Sequence, residues 1–155
     1  MYWKTVNKIS FKNLDGCVKK LRKKYILSHW IRDIAKRNKS KNFNKNISLK
    51  LYRITVKDLG FKKPTKLMNI YKKLKKLNYE PIPMQYAIYL RFIYDEQPNG
   101  EWLRILVPLK SMIDSDGVPH LPKLGKGLKK YFIETYWSYP GAIFHPHNDF
   151  IVKKK

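Results

Sequence analysis

The spacing of the apolar residues changes at Pro81 and Pro83, and no other feature of the chain constrains its fold as strongly. Before these prolines the apolar residues recur three and four positions apart, as in helices, and after them the pattern becomes that of extended strands. Helices followed by a run of strands are typical of the α+β class. The 155 residues therefore predict a single α+β domain over 1–155, with helices and one strand first and then an antiparallel β-meander of about four strands.

Turn and cap residues set the expected bounds of these elements. The predicted helices cover 11–25, 29–38 and 66–78, with Ser28 and Thr65 as caps of the second and third. The predicted strands cover 48–56, 87–94, 101–107, 129–137 and 149–153. Turn chemistry at 98–100 predicts a hairpin between 87–94 and 101–107, and the proline and glycines of 120–127 predict an irregular loop that includes His120.

Positive charge is concentrated in the first half of the chain. Residues 1–79 contain 24 lysines and arginines against three acidic residues, whereas residues 80–155 contain 10 against eight. The net charge of +23 therefore divides the domain into a basic helical part, 1–79, and a near-neutral β-rich part, 80–155. A charge difference of this size predicts that the basic part meets a polyanion.

Two of the predicted helices carry lysines on the face opposite their apolar stripe. Such faces suit phosphate groups. If about six phosphates are neutralised, a plot of the logarithm of the binding constant against the logarithm of the salt concentration has a slope near −5. Because lysine reads bases less well than arginine, binding would be largely independent of nucleotide sequence. The first hypothesis is therefore a protein that binds RNA or DNA through the phosphate backbone, and the alternative is a solvated lysine-rich surface without a ligand. The lysines in question are Lys12, Lys19, Lys20, Lys23, Lys72, Lys73 and Lys76.

Aromatic residues are interleaved with these charges, namely Trp30, Tyr52, Tyr71, Tyr86, Tyr89 and Trp102. Aromatic rings exposed in a basic groove stack on unpaired bases and favour single strands. Trp30 and Tyr71 fall on apolar helix faces and are predicted to belong to the core. The alternating residues of the predicted sheet would form a stacking platform on a face that stays open to solvent.

The second hypothesis is a metal-independent ribonuclease, such as a toxin. Such an enzyme needs a base, an acid and cations around the scissile phosphate. Glu134 with His145 or His147 would supply the base and the acid if neighbouring strands bring them together. The cations and hydroxyl beside them would be Lys129, Lys130 and Tyr136. The chain has no phosphate-binding loop, dinucleotide motif, serine-hydrolase elbow or zinc-protease motif, so no cofactor is predicted and a binding protein is favoured over an enzyme.

The histidines near the end of the chain also raise the possibility of a metal site. His145, His147 and Asp149 occupy alternate positions, which would place all three on one side of an extended strand. Pro146 argues for a bend between them, because proline cannot donate to a strand ladder. We therefore predict a turn into the last strand and no metal ligands.

A second acidic motif resembles the start of a calcium loop. Asp114 and Asp116 stand two positions apart, but Val118 and Gly125 occupy the fifth and twelfth positions, where such a loop needs oxygen ligands. This segment is predicted to be a tight turn.

The single cysteine, Cys17, lies on an apolar helix face and is predicted to be core. One thiol excludes an internal disulfide and favours a reducing compartment, the cytoplasm. No apolar run approaches the length that spans a membrane, so no membrane partner is predicted. The third hypothesis is a protein-interaction module, in which the near-neutral part binds an acidic protein.

The middle of the chain carries a recognisable order of segments, namely ITVKDLGF, IYKK, YLRFIYDEQPNGEWLRI and DSDGVP, within roughly residues 53–119. This order resembles a family of small uncharacterised bacterial proteins that has no assigned activity. The resemblance implies a bacterial or phage-like source and no particular mechanism. The lysine surplus is not part of it.

Overall fold

A computed structural model describes all residues from 1 to 155. Its strands are β1 (Tyr2–Val6), β2 (Ile26–Leu27), β3 (Leu49–Thr55), β4 (Thr65–Lys66), β5 (Tyr79–Glu80), β6 (Trp102–Ile105), β7 (His120–Gly127), β8 (Lys130–Trp137), β9 (Ile143–Phe144) and β10 (Asp149–Lys154). Its helices are α1 (Leu14–Lys24), α2 (His29–Arg37), α3 (Leu67–Lys76) and α4 (Met84–Tyr89), with short 3-10 helices at Lys57–Leu59 and Leu90–Phe92. The predicted α+β class is confirmed.

The strands form one large mixed sheet rather than a four-stranded antiparallel meander. Its order is β1-β3-β10-β6-β7-β8-β2, and β5 pairs with β10 as the eighth strand. The pairs β10–β6 and β2–β8 are parallel, so only β6, β7 and β8 form a consecutive antiparallel meander. Strands from the basic part and from the near-neutral part therefore share one sheet, and their apolar residues share one core.

The two faces of the sheet have different neighbours at β7 and β8. Successive residues of a strand point to opposite faces. On one face the indole of Trp30, in α2, stacks on His120 with ring centres 5.4 Å apart. On the other face Tyr136 meets Phe144 of β9, at 5.5 Å. The helix α2 thus covers one face, and the small β4–β9 sheet contacts the opposite face.

The predicted cap residue agrees with the structure at α2 and disagrees at α3. The side chain of Ser28 accepts a hydrogen bond from the Ile31 N–H at 3.2 Å, which confirms it as the cap of α2. Thr65 does not cap α3: it lies in β4, Lys66 precedes the helix without a side-chain cap, and the Thr65 hydroxyl accepts from the Asn69 amide. The pairing of β4 with β9 keeps both Thr65 and Lys66 in a strand, so the helix begins at Leu67 and Thr65 lies one position too early to cap it.

Residues 87–92 are helical, so the predicted strand 87–94 and its hairpin with 101–107 are wrong. Arg91 supplies the physical reason, because its side chain is fully buried and binds groups that only a helical turn places in reach. Its guanidinium donates to the carbonyls of Tyr94, Gly125 and Phe132 and to the side-chain oxygen of Gln97, at 2.7–3.2 Å. These long-range bonds outweigh the strand preference of the tyrosines and isoleucines around it.

The segment 120–127 is the strand β7, between β6 and β8, and not the predicted loop. Pro122 is tolerated because the β6–β7 ladder ends at the pair Arg104 and Lys123, so no partner on β6 needs the missing N–H. Gly125 is required by packing, since a Cβ there would lie 2.2 Å from the ring of Trp102. Pro122 and Gly125, which are typical of loops, are therefore both compatible with the strand β7.

Candidate functional site

The seven lysines of the two predicted phosphate-binding faces are on the surface, but they belong to separate parts of the molecule. All are exposed except Lys73, which is half-buried. Helix α1 packs against α2 and β2, whereas α3 packs against β4, β5 and the 3-10 helix Lys57–Leu59. Lys19 pairs with Asp15 at 3.1 Å and lines a groove of about 290 Å³ between α1 and α2. Three more cations line that groove, Arg22, Arg32 and Lys36.

Most of the positive charge has no acidic neighbour. Only Lys4, Lys19, Arg53 and Lys153 come within 4.0 Å of a carboxylate, out of 34 lysines and arginines. The exposed cations among the others are therefore available to anions from solution, and their mutual repulsion disfavours the folded state until an anion binds.

The half-exposed face of β6, β7 and β8 carries a second group of cations that the sequence did not single out. Arg104, Lys123 and Glu134 face one another in register across the three strands. Neither Arg104 nor Lys123 has a carboxylate within 4.0 Å, and the Arg104 Nε is buried without a hydrogen-bond partner. Burial lowers the pKa of Lys123, and the neighbouring Arg104 lowers it further, whereas Glu134 acts in the opposite direction. Two adjacent cations without a carboxylate within 4.0 Å have the charge and the donor groups that an anion requires.

Aromatic rings surround these two cations. The Lys123 Nζ lies 4.8 Å from the ring centre of Trp102 and 5.9 Å from that of Tyr136. The Arg104 guanidinium lies 4.9 Å from the ring centre of Tyr136. Trp102 is 40% exposed and also packs near Phe132, with ring centres 6.1 Å apart. We call Trp102, Arg104, Lys123, Phe132 and Tyr136 the sheet platform.

The six aromatic residues singled out in the sequence have different environments. Only Trp102 presents an exposed ring on the open sheet face. Tyr86 is buried, with its hydroxyl accepting from the Asn44 N–H, and the remaining four are half-buried. Trp30 and Tyr71, predicted as core, are half-buried. Tyr71 packs against the core and donates a hydrogen bond to the Val107 carbonyl, whereas Trp30 stacks on His120.

The ribonuclease candidates are not joined by any direct contact. Glu134 makes no hydrogen bond or ion pair with His145 or His147. The two histidines are exposed, with ring centres 5.8 Å apart, in a turn closed by the Asn148 N–H to the His145 carbonyl. Lys129 and Lys130 are exposed at the other end of β8. The catalytic role of these residues stays a prediction, and the predicted turn before the last strand is confirmed.

His120 is a buried structural histidine and not a loop residue. Its Nε2 lies 2.8 Å from the Asp114 carboxylate and its Nδ1 lies 3.0 Å from the Thr135 hydroxyl. Asp114 also accepts from the N–H groups of Asp116 and Val118, which confirms the tight turn. These bonds lower the pKa of Asp114, and the bond from His120 has the largest effect. Cys17 is buried as predicted, and burial raises its pKa to about 12.

Arg104 and Lys123 are not evident as a pair from the sequence, because the proline and glycines of the segment 120–127 indicate a loop. Read as a strand, it alternates Leu121, Lys123 and Gly125 on one face, and the interior glycine indicates a close approach by a neighbour. That signal was present in the sequence. Their register with Trp102 and Glu134 was not, because strand pairing depends on contacts that are distant along the chain.

Comparisons with protein-family models, with curated proteins and with solved structures each find no match to this chain. No helix is long and apolar enough to cross a membrane. No group of three or more His, Cys, Asp and Glu side chains is placed to hold a metal ion. The features of the chain that bear on its function are the sheet platform and the unpaired surface charge.

Proposed function

We propose that this chain binds single-stranded nucleic acid, RNA or DNA, with phosphates at Arg104 and Lys123 and bases on the rings of the sheet platform. The observation that carries the proposal is the pair of adjacent, half-buried cations without a carboxylate partner, set between aromatic rings. A phosphate would supply the missing counterion, and Trp102 offers an open ring for a base.

The unpaired surface lysines support the same ligand class. A polyanion that occupies the sheet platform would also meet lysines on other surfaces, and each phosphate that they neutralise releases counterions. This contribution does not depend on base identity, so the proposed binding is largely independent of nucleotide sequence. A solvated lysine surface alone would not explain why two cations adjoin beside Trp102 and Tyr136.

Fluorescence anisotropy with end-labelled twelve-nucleotide oligouridine, oligothymidine and a duplex of equal length tests the proposal. We expect the single strands to bind more tightly than the duplex, and Trp102→Ala to weaken their binding about tenfold, since one stacked base contributes about 1–3 kcal/mol. Tyr2→Ala is the matched control, because Tyr2 is an exposed aromatic on the far edge strand. Absence of binding at about 50 mM salt, or equal effects of the two variants, would overturn the proposal.

Electrophoresis of the recovered RNA separates this proposal from the ribonuclease hypothesis. A binding protein returns the oligonucleotide intact. Cleavage that disappears in a Glu134→Ala and His147→Ala double variant would instead assign catalysis to those residues.

A further inference from the structure

The strand β8 has an open edge along its second half. Strand β2 pairs with β8 only at Phe132 and Ile133, whereas β8 continues to Trp137. The Ser28 N–H donates to the Ile133 carbonyl at 3.0 Å, so the backbone of Ile133 faces away from β7. The Ser138 N–H donates to the Pro119 carbonyl, so Ser138 faces toward β7. Because these directions alternate, the backbone groups of Thr135 and Trp137 point to the open side.

A groove of about 720 Å³ runs beside this open edge. Its floor is the stretch 134–137 of β8, with Trp30 on one side and residues 139–143 on the other. Three of its apolar side chains are largely exposed, Trp137 at 64%, Ile143 at 47% and Tyr139 at 46%. Exposed apolar side chains grouped around unpaired backbone groups mark a surface that another chain covers. We call this feature the edge groove.

The wall formed by Trp30 is fixed before any ligand arrives. The indole lies against His29, at 4.2 Å between ring centres, and against His120, at 5.4 Å. His120 is held in turn by Asp114 and by the Thr135 hydroxyl, which belongs to the floor of the groove. A wall held in this way loses little conformational entropy on binding, which favours affinity.

We propose that the edge groove binds an extended, acidic and apolar segment of a partner protein, which adds a strand to β8. The backbone groups of Thr135 and Trp137 would pair with the segment, and alternate apolar side chains would contact Trp30, Trp137 and Ile143. Among the groove residues only Glu134 is charged, and Lys123 faces it from β7. This site goes beyond the proposed nucleic-acid binding, which uses the sheet platform.

The net positive charge of this chain favours an acidic partner over a second copy of the chain. Two copies that joined their β8 edges would each bring a net charge of +23, and their repulsion opposes the pairing. An acidic segment would be attracted by the same charge, including Lys66, which is opposite Ile143 in the β4–β9 sheet at the side of the groove. Unpaired backbone groups at strand spacing match a peptide and not a sugar–phosphate chain.

Selection of random dodecapeptides displayed on their own mRNA against the immobilised full chain tests the proposal. We expect the selected peptides to alternate apolar and acidic residues. A synthetic copy of the strongest peptide should lose at least tenfold in affinity when alternate backbone nitrogens are methylated, because methylation removes the N–H groups that pair with β8. Failure to enrich any peptide, or equal affinity of the methylated copy, would overturn the proposal.

Variants locate the peptide on the protein. Trp137→Ala and Ile143→Glu should each weaken the peptide at least tenfold, by removing an apolar contact or by repelling acidic side chains. Leu128→Glu is the control, because Leu128 is 93% exposed in the turn between β7 and β8 and lies outside the groove. Hydrogen exchange should show the Trp137 N–H protected in the peptide complex. A concentration-dependent dimer that Ile143→Glu abolishes would assign the groove to a second copy of the chain. Oligonucleotide binding that Trp137→Ala abolishes would assign the groove to nucleic acid. Either result would reject the proposal that the groove binds a peptide.

Discussion

The indole of Trp102 lies across Gly125, its register partner on β7, so closely that a Cβ at position 125 would be 2.2–2.6 Å from three ring carbons. Glycine at this position allows the indole to lie flat on the sheet between Lys123 and Phe132. The geometry of the sheet platform therefore depends on the absence of one side chain.

Gly125→Ala should displace the indole and destabilise the fold by about 1–3 kcal/mol, the usual effect of overpacking. Urea unfolding measures the loss, and Gly127→Ala is the matched control, since a Cβ at Gly127 meets nothing within 4 Å. In a double variant with Trp102→Ala most of the stability lost at Gly125 should return. Equal effects of the two glycine variants would contradict the packing described for Trp102.

Arg91→Met should destabilise the protein by about 3 kcal/mol, because it leaves the buried Gln97 side chain and three carbonyls without their donor. Chemical denaturation of the variant measures this directly. Arg37→Met, at an exposed position, should change stability by no more than about 0.5 kcal/mol. An unfolding free energy that is unchanged in Arg91→Met would mean that these hydrogen bonds do not stabilise the helical segment.

The Asp114 carboxylate should make part of the stability sensitive to acid. Its pKa is lowered in the folded state below the ordinary 3.8, so its contribution is complete above that pH and is lost as pH falls through the folded pKa. The difference in unfolding free energy between the wild type and Asp114→Asn should therefore shrink below about pH 3.8. Asp116→Asn, at an exposed carboxylate, should show no such trend. A difference that stays constant across this range would rule out the ionised Asp114.

The lowered pKa of Lys123 should appear in the pH dependence of oligonucleotide binding. The ammonium form attracts phosphate, so affinity should begin to fall with rising pH earlier than an ordinary lysine, with a pKa of 10.5, would require. Lys123→Arg keeps its charge throughout and should remove this early decline. Titrations at constant salt, with Lys72→Arg as the control, measure the effect. Identical profiles for the wild type and Lys123→Arg would exclude Lys123 from the site.

Local patterns were sufficient for the elements whose stability is local. Helix α2 begins directly after its predicted cap, Ser28, and β8 and β10 each match a predicted strand to within one residue at either end. Asn78, the last residue of the predicted helix 66–78, follows α3 with a left-handed backbone, φ 63°, a conformation that asparagine adopts more readily than most residues. In these segments the apolar stripe and the terminal residues agree, so no distant contact is needed to predict them.

The structure differs from the predicted elements where contacts between residues distant in sequence determine the local conformation. Arg91 fixes a helical turn through carbonyls on β7 and β8, and Gly125 accommodates an indole from β6. The short strand β2 exists because Ile26 and Leu27 pair with β8, more than a hundred residues away. For the same reason the lysine faces were predicted from helical spacing, whereas the sheet platform and the edge groove required the register of the sheet.

The most direct test of the proposed function is the salt dependence of single-strand binding in variants that each remove one platform charge. If Arg104 and Lys123 contact phosphates, Lys123→Gln and Arg104→Gln should each reduce the steepness of the log–log salt slope by about 0.7, the value for one phosphate on a single strand. Lys57→Gln, at an exposed lysine on the 3-10 helix Lys57–Leu59, provides the comparison for a surface charge away from the platform. A wild-type slope near zero, or slopes unchanged in both platform variants, would contradict the proposal that this sheet face binds nucleic acid.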